Sequence, residues 1–199
     1  MGKAETTRET ILDAALATAS QVGLAGLSLG ELARQVGMSK SGLFAHFDSK
    51  EDLQLEVLRL AARQFVDVVV APALRAPRGE PRVRALFENW FRWARDQSLP
   101  GGCPFIAAAS ELDDRPGPLR DYLVSTQRDW LAGLAQAARI AVDEGHFRAE
   151  LDVEQFAYDL YSILLAYHHF TRLMRDPQGE ARTHRAFEDL LGLARRQPS

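Results

Sequence analysis

LGELARQVGMSKSGLFAHFDSKEDL, residues 29–53, decides the reading of this 199-residue chain. Leu29, Leu32, Ala33 and Val36 recur at helical spacing, so the stretch opens with a short amphipathic helix. Ser28 and Glu31 form a capping box, in which the hydroxyl accepts a backbone N–H that has no partner inside the helix. Gly37 supplies a turn, because glycine enters the left-handed backbone region without steric cost. Ser39 caps a second short helix, with Leu43 and Phe44 expected to face inward and Phe47 to close it; Ser49 caps a third. Two short helices crossing at a glycine-containing turn make a helix-turn-helix, whose second helix can enter the DNA major groove. Such helices also occur in ordinary all-α cores. Here, however, the small polar residues Ser39, Lys40 and Ser41 begin the second helix, where groove contacts belong. His46 and Lys50 follow on the solvent side, and the long helix after Ser49 offers its N-terminus to a phosphate.

Outside this stretch, proline and glycine punctuate the chain and the segments between them read as helix. Thr6 with Glu9 predicts the start of a first helix, whose buried stripe is Ile11, Leu12, Ala15, Ala19 and Val22 and whose end is Gly23. The β-branched cluster at residues 66–71 continues the helical pattern begun at Ser49 and is expected to end before Pro72. Further helices are predicted over 82–97, 105–112, 119–144, from the Asp152 cap to about 175, and 180–196. The chain is therefore read as all-α, with about nine helices.

Composition narrows the function. The chain is 46% hydrophobic, enough for a core, and no run approaches the ~18 apolar residues of a membrane span. Its beginning lacks the apolar centre of a secretory signal, and one cysteine, Cys103, excludes a disulfide within the chain; both fit the cytoplasm. The net charge is −3, and residues 1–50 carry five basic and five acidic side chains, so any DNA binding must use a few placed cations. There is no zinc-ligand spacing, phosphate-cradling glycine loop or nucleophile–base pair, so no metal, cofactor or catalytic residue is expected. His168 and His169 project ~100° apart on a helix and make no metal site. Glu111, Asp113, Asp114 and Arg115 lie beside a Pro/Gly turn and read as solvated surface.

On this reading, Lys40, His46 and Lys50 neutralise or bond phosphates, which positions the protein without reading sequence. Ser39, Lys40 and Ser41 are candidates for base edges, and Gly42 lets the backbone approach closely. Ser28 either donates to a phosphate or simply caps its helix. The first helix, the pattern LxELAxxVGMSKSGLxxHFxSKEDL and the long fourth helix together resemble the DNA-binding signature of the TetR family of bacterial regulators, over residues 6–53. Beyond residue 53 the likeness is one of length, helical content and helix order. The resemblance implies a three-helix DNA-binding domain over 1–48 and a larger helical domain over 49–199 that binds an effector and dimerises through its last two helices. It implies a homodimeric repressor that binds a palindromic double-stranded operator, is released by a small molecule and has no enzymatic activity. It also implies that Ser39, Lys40, Ser41, Gly42, Phe44, His46 and Lys50 meet DNA. Phe44 stands where the family usually has tyrosine, so a phosphate-binding hydroxyl is absent; Ala45 stands where the family often has an aromatic residue or histidine.

Aromatic side chains beyond residue 80 fall at core spacing, and such side chains also line small-molecule pockets. Trp90, Phe105, Trp130 and Tyr161 sit near mid-helix, and Tyr161 shares a face with His168, so these five are the candidate effector-binding residues. Leu160, Leu164, Leu190, Leu191 and Ala194 give the last two helices apolar faces, for a two-fold copy or for the chain's own core. Cys103 is either a buried turn residue or a redox sensor activated by a helix N-terminus. Two alternatives stand beside the effector-released repressor: a regulator controlled by oxidants or electrophiles at Cys103, and a small all-α enzyme or carrier.

Overall fold

The computed structural model describes residues 3–195, with side chains from residue 7 onward. Ten α-helices run in order: α1 (Lys3–Val22), α2 (Leu29–Gln35), α3 (Lys40–Phe44), α4 (Lys50–Phe65), α5 (Ala71–Leu74), α6 (Glu80–Ala94), α7 (Pro104–Leu112), α8 (Pro118–Asp143), α9 (Val153–His168) and α10 (Gly179–Ala194). A π-helical turn, Val66–Val70, joins α4 to α5 without a break, so the described residues form nine continuous helical stretches. A second π-helical turn, His169–Leu173, extends α9. The described residues contain no strand beyond one isolated bridge between Phe147 and Arg195. The helices gather into two compact units, one of residues 1–65 with 94–125 and the other of 66–93 with 126–199.

In the first unit α1 packs on α2, α4 and α7, and α2 on α3. Ile11, Leu12, Ala15, Leu16 and Ala19 form its buried stripe. α1 starts three residues before the expected position, and the side chain of Thr6 lies outside those described. Val22 is corrected from the buried stripe: it is 53% exposed, because the chain reverses at Gly23 and Leu24 and Leu27 are buried beyond the turn. Gly37 ends α2 as expected, at φ +69°, with Met38 N–H bonded to the Ala33 carbonyl and Gly37 N–H to that of Arg34. That bond pair satisfies two carbonyls at the helix end. Gly101, in the turn before α7, has a different reason to be glycine: any Cβ there would lie 1.6 Å from the Ser20 carbonyl oxygen of α1.

The second unit is built around aromatic rings. Phe87 of α6 stacks on Phe187 of α10 at 3.8 Å, and Phe91 packs against Tyr167 of α9 and His184 of α10. The expected stop before Pro72 is corrected: the helix passes through it. Proline removes the N–H that the carbonyl four residues back would use. The proline is preceded by a wider π turn, Val66–Val70, and within that turn the Val69 carbonyl accepts from the buried side-chain amide of Asn89 at 3.0 Å. α8 ends at Gly145 (φ +73°) with the same paired bonds as α2, and the Asp152 carboxylate accepts from Glu154 and Gln155 N–H at the start of α9.

Candidate nucleic-acid interface

α3 is a five-residue helix with one buried anchor, Leu43. Ser39 is its N-cap: the hydroxyl accepts from Gly42 N–H at 3.0 Å and lies 3.1 Å from the Ser41 hydroxyl. Gly42 therefore has a local duty, since a Cβ there would approach Ser39 Oγ to 3.2 Å. Lys40, Ser41, Phe44 and Ala45 are exposed, and His46 is half-buried. The inward orientation expected for Phe44 is corrected: its ring is 41% exposed, because Leu43 and Phe47 alone fill the space beneath so short a helix. Phe47 is buried, with the Arg8 guanidinium of α1 lying 5.1 Å over its ring and bonded in turn to Glu56 of α4. Ser49 caps α4 by accepting from Asp52 N–H at 3.0 Å, while the Asp52 carboxylate accepts from Asp48 N–H.

The loop between α1 and α2 is tied down by side chains. Glu111 of α7 accepts the Ala25 N–H at 2.9 Å, Lys50 Nζ donates to the Ala25 carbonyl at 2.9 Å, and Gln54 Nε2 donates to the Leu24 carbonyl at 2.6 Å. The carboxylate of Glu111 occupies the space that a Cβ on Gly23 would need. Lys50 is thus first a brace for this loop, though an ammonium keeps two further protons to donate. Ser28 caps α2 through Glu31 N–H at 3.4 Å. Sequence reasoning missed the duties of Glu111 and Gln54, since neither has a local partner that spacing could reveal.

The candidate effector residues divide between the units. Phe105 is buried in the first, edge-on to Phe65 at 6.0 Å. Trp90, Trp130, Tyr161 and His168 belong to the second. Trp90 and Trp130 are buried, and Trp90 meets the rings of Phe91 and Tyr167. Tyr161 donates its hydroxyl to the side-chain oxygen of Gln127, three residues before Trp130 on α8, so α9 brings its tyrosine to that part of α8. Burial, with the nearby Arg172 and His169 adding, pushes His168 below its ordinary value. A cavity of about 180 Å³ lies in the first unit, between Leu24, Gln54, Glu111, Leu112, Arg115 and Leu119, and none of the five candidates lines it. Cys103 is 2% exposed and precedes Pro104, the first residue of α7. Leu160, Leu164, Leu191 and Ala194 are buried within the chain itself, whereas Tyr158, Leu165, Phe170, Leu173, Met174 and Leu193 are the large apolar side chains left exposed from α9 onward among the described residues. No group of three His, Cys, Asp or Glu among the described residues could hold a metal ion, and no described helix is long and apolar enough to cross a membrane.

A capped α3 with an exposed polar and aromatic face, packed on α2, which itself packs on α1, has the form of a helix-turn-helix DNA-binding protein. Residues 11–57 match the family described as "Bacterial regulatory proteins, tetR family", and residues 79–187 match "Tetracyclin repressor-like, C-terminal domain". The chain is 32% identical to the HTH-type transcriptional regulator RutR of Escherichia coli K12 over 148 residues, 70% of this chain and 67% of that one. Its fold is that of a TetR regulator from Chloroflexus aurantiacus (TM-score 0.85, 24% identity, 96% of each chain). It is also that of AibR, solved with isovaleryl coenzyme A and operator DNA (TM-score 0.72, 20% identity, 94% of this chain and 97% of that one). The chain belongs to the TetR family: it is a DNA-binding transcriptional regulator.

Proposed function

We propose that this regulator is a cytoplasmic repressor that binds a palindromic operator as a homodimer and leaves it when a small molecule binds. The observation that carries the reading is the outward face of α3, on which Lys40, Ser41, Phe44 and Ala45 stand together while Leu43 alone anchors the helix. Residues 1–48 bind DNA, and residues 49–199 bind the effector and dimerise. Ser41 and Lys40 meet base edges; Lys40, His46, Lys50 and the Ser28 end of α2 meet phosphates; Ser39 and Gly42 hold α3 in shape. Two copies pair through α9 and α10, and the exposed Tyr158, Leu165, Leu173 and Leu193 supply the apolar area for that contact. The α8–α9 region carrying Trp130, Tyr161 and His168, with Trp90 in the same unit, receives the effector. AibR, crystallised with both a small molecule and operator DNA, supports this division of labour by its fold.

The test is a footprint of the purified protein upstream of its own and neighbouring genes, combined with its mass by sedimentation. The expected result is a dimer protecting two half-sites about one helical turn, ~34–36 Å, apart. A monomer, or equal affinity for cognate and random duplexes at physiological salt, overturns the reading. An effector that lowers operator affinity must be weakened by the operator by the same factor, because the coupling is reciprocal. Control through Cys103 is the weaker reading, because its thiol is buried; on that reading Cys103→Ser abolishes the response to oxidants.

A further inference from the structure

We infer that Phe44 is a specificity-determining residue of this regulator and reads the 5-methyl group of thymine in each half-site; the inference rests on α3 being the DNA-reading helix. Lys40, Ser41 and Phe44 lie three and four residues apart on α3 and so share one face, with Ala45 beside them. The face is short of groups that can read bases by hydrogen bonds. The Ser39 hydroxyl is committed to Gly42 N–H and to Ser41. Phe44 is the largest group on it, 41% exposed, while its neighbours Leu43 and Phe47 are 0% and 3% exposed.

Packing uses this ring less than it uses its neighbours. Leu43 already anchors α3, and Phe44 makes no ring–ring or cation–ring contact among the described residues. A phenyl ring has no atom that bonds a phosphate oxygen, so it adds nothing to backbone positioning. In the major groove the base edges offer donors and acceptors with a single apolar exception, the thymine methyl. An exposed phenyl on the groove-facing side of a helix has that group as its chemical complement, and Ala45 enlarges the same apolar strip. The ring thus favours A·T at one step of the half-site, while Lys40 and Ser41 read its neighbours.

The experiment uses the full-length protein and a duplex selected with it from a random-sequence pool. Each thymine of that duplex is replaced in turn by deoxyuridine, which removes the methyl and leaves base pairing intact. The expected result is one thymine per half-site at which the change weakens binding about three- to fivefold, the worth of one buried methyl. This sensitivity vanishes in Phe44→Ala and persists in Phe44→Leu, which keeps an apolar side chain. Phe44→Leu keeps most of the apolar contact and should unfold near the wild-type temperature. The comparison of thymine with uridine duplexes within each variant is independent of any loss of stability in Phe44→Ala. Indifference to deoxyuridine throughout, or a Phe44→Ala loss that is equal on thymine and uridine duplexes, overturns the inference and leaves the operator reading intact. Failure to enrich any duplex overturns the operator reading itself, and this inference with it.

Discussion

Gly23 and Glu111 meet in one place from opposite ends of a compact unit. Gly23 sits at φ +76°, and a Cβ there would fall on the Glu111 carboxylate. Gly23→Ala therefore combines a left-handed backbone penalty with displacement of that carboxylate, and is expected to cost about 1–2 kcal/mol, read as a lower thermal midpoint. Glu111→Ala is the sharper probe. It leaves the Ala25 N–H without its acceptor, so amide hydrogen exchange at Ala25 should accelerate while α8 and α9 stay protected; unchanged exchange would show that the bond does not hold the loop. From sequence Glu111 read as a solvated charge in a proline-rich turn, because its partner lies 86 residues away and leaves no periodic trace. Gly23, Gly37 and Gly145 were legible, since a glycine after an amphipathic run has one strong meaning. Phe44 was half legible: its place in the DNA-meeting set came from the motif, and its exposure from a helix too short to bury two neighbours.

At the scale of the helix, the π turn before Pro72 takes a hydrogen bond from a side chain of another element. Asn89→Ala removes the buried donor to the Val69 carbonyl and should destabilise the protein by about 1–3 kcal/mol in urea titration, whereas an equivalent change at an exposed α6 position should be near neutral. Asn89 looked like an ordinary polar residue in a helical run; only the π turn reveals what it serves. The start of α6 carries a second device, in which Glu80 bonds Arg84 and Arg195, the residue after α10, and Arg84 also holds Glu188. The Arg195 bond foremost, opposed by partial burial and reinforced by Arg84, holds the Glu80 carboxyl down to about 2. The native state thus binds that proton less readily than the unfolded chain. The resulting stability is complete above the ordinary carboxylate range and is lost as pH falls through about 2. Glu80→Gln should accordingly be less stable than wild type at pH 7, with the gap narrowing steadily below pH 4; a gap independent of pH would show that charge is not its cause. Sequence periodicity gave the helices and most of their limits, since caps are local. It did not tell which apolar stripe is covered by the chain itself, so Leu160, Leu164, Leu191 and Ala194 had an open alternative that burial closes.

For the molecule as a whole, the charge balance sets how it meets DNA. A chain of net charge −3 gains little from the general polyanion field and relies on a few cations. If Lys40 and Lys50 of each copy neutralise phosphates, the dimer's logarithmic dependence of affinity on salt should have a slope of about −4, and Lys40→Ala should reduce it by about 2. A steep slope near −10 would mean that a basic surface outside α3 carries the binding. Family membership was legible because residues 29–53 join caps, turn and polar face in one local pattern, while the aromatic cluster of the second unit joins side chains from distant segments. The pinned α1–α2 loop also sets a rule for building hybrid sensors from this protein. A transplanted reading head cut after Phe65 would leave behind the carboxylate that steadies it, so a working graft needs residues 94–125 in the same donor piece. Exchange of parts between such regulators then proceeds by a two-segment splice, and a simple N-terminal fusion would yield a head whose α1–α2 loop has lost its tether.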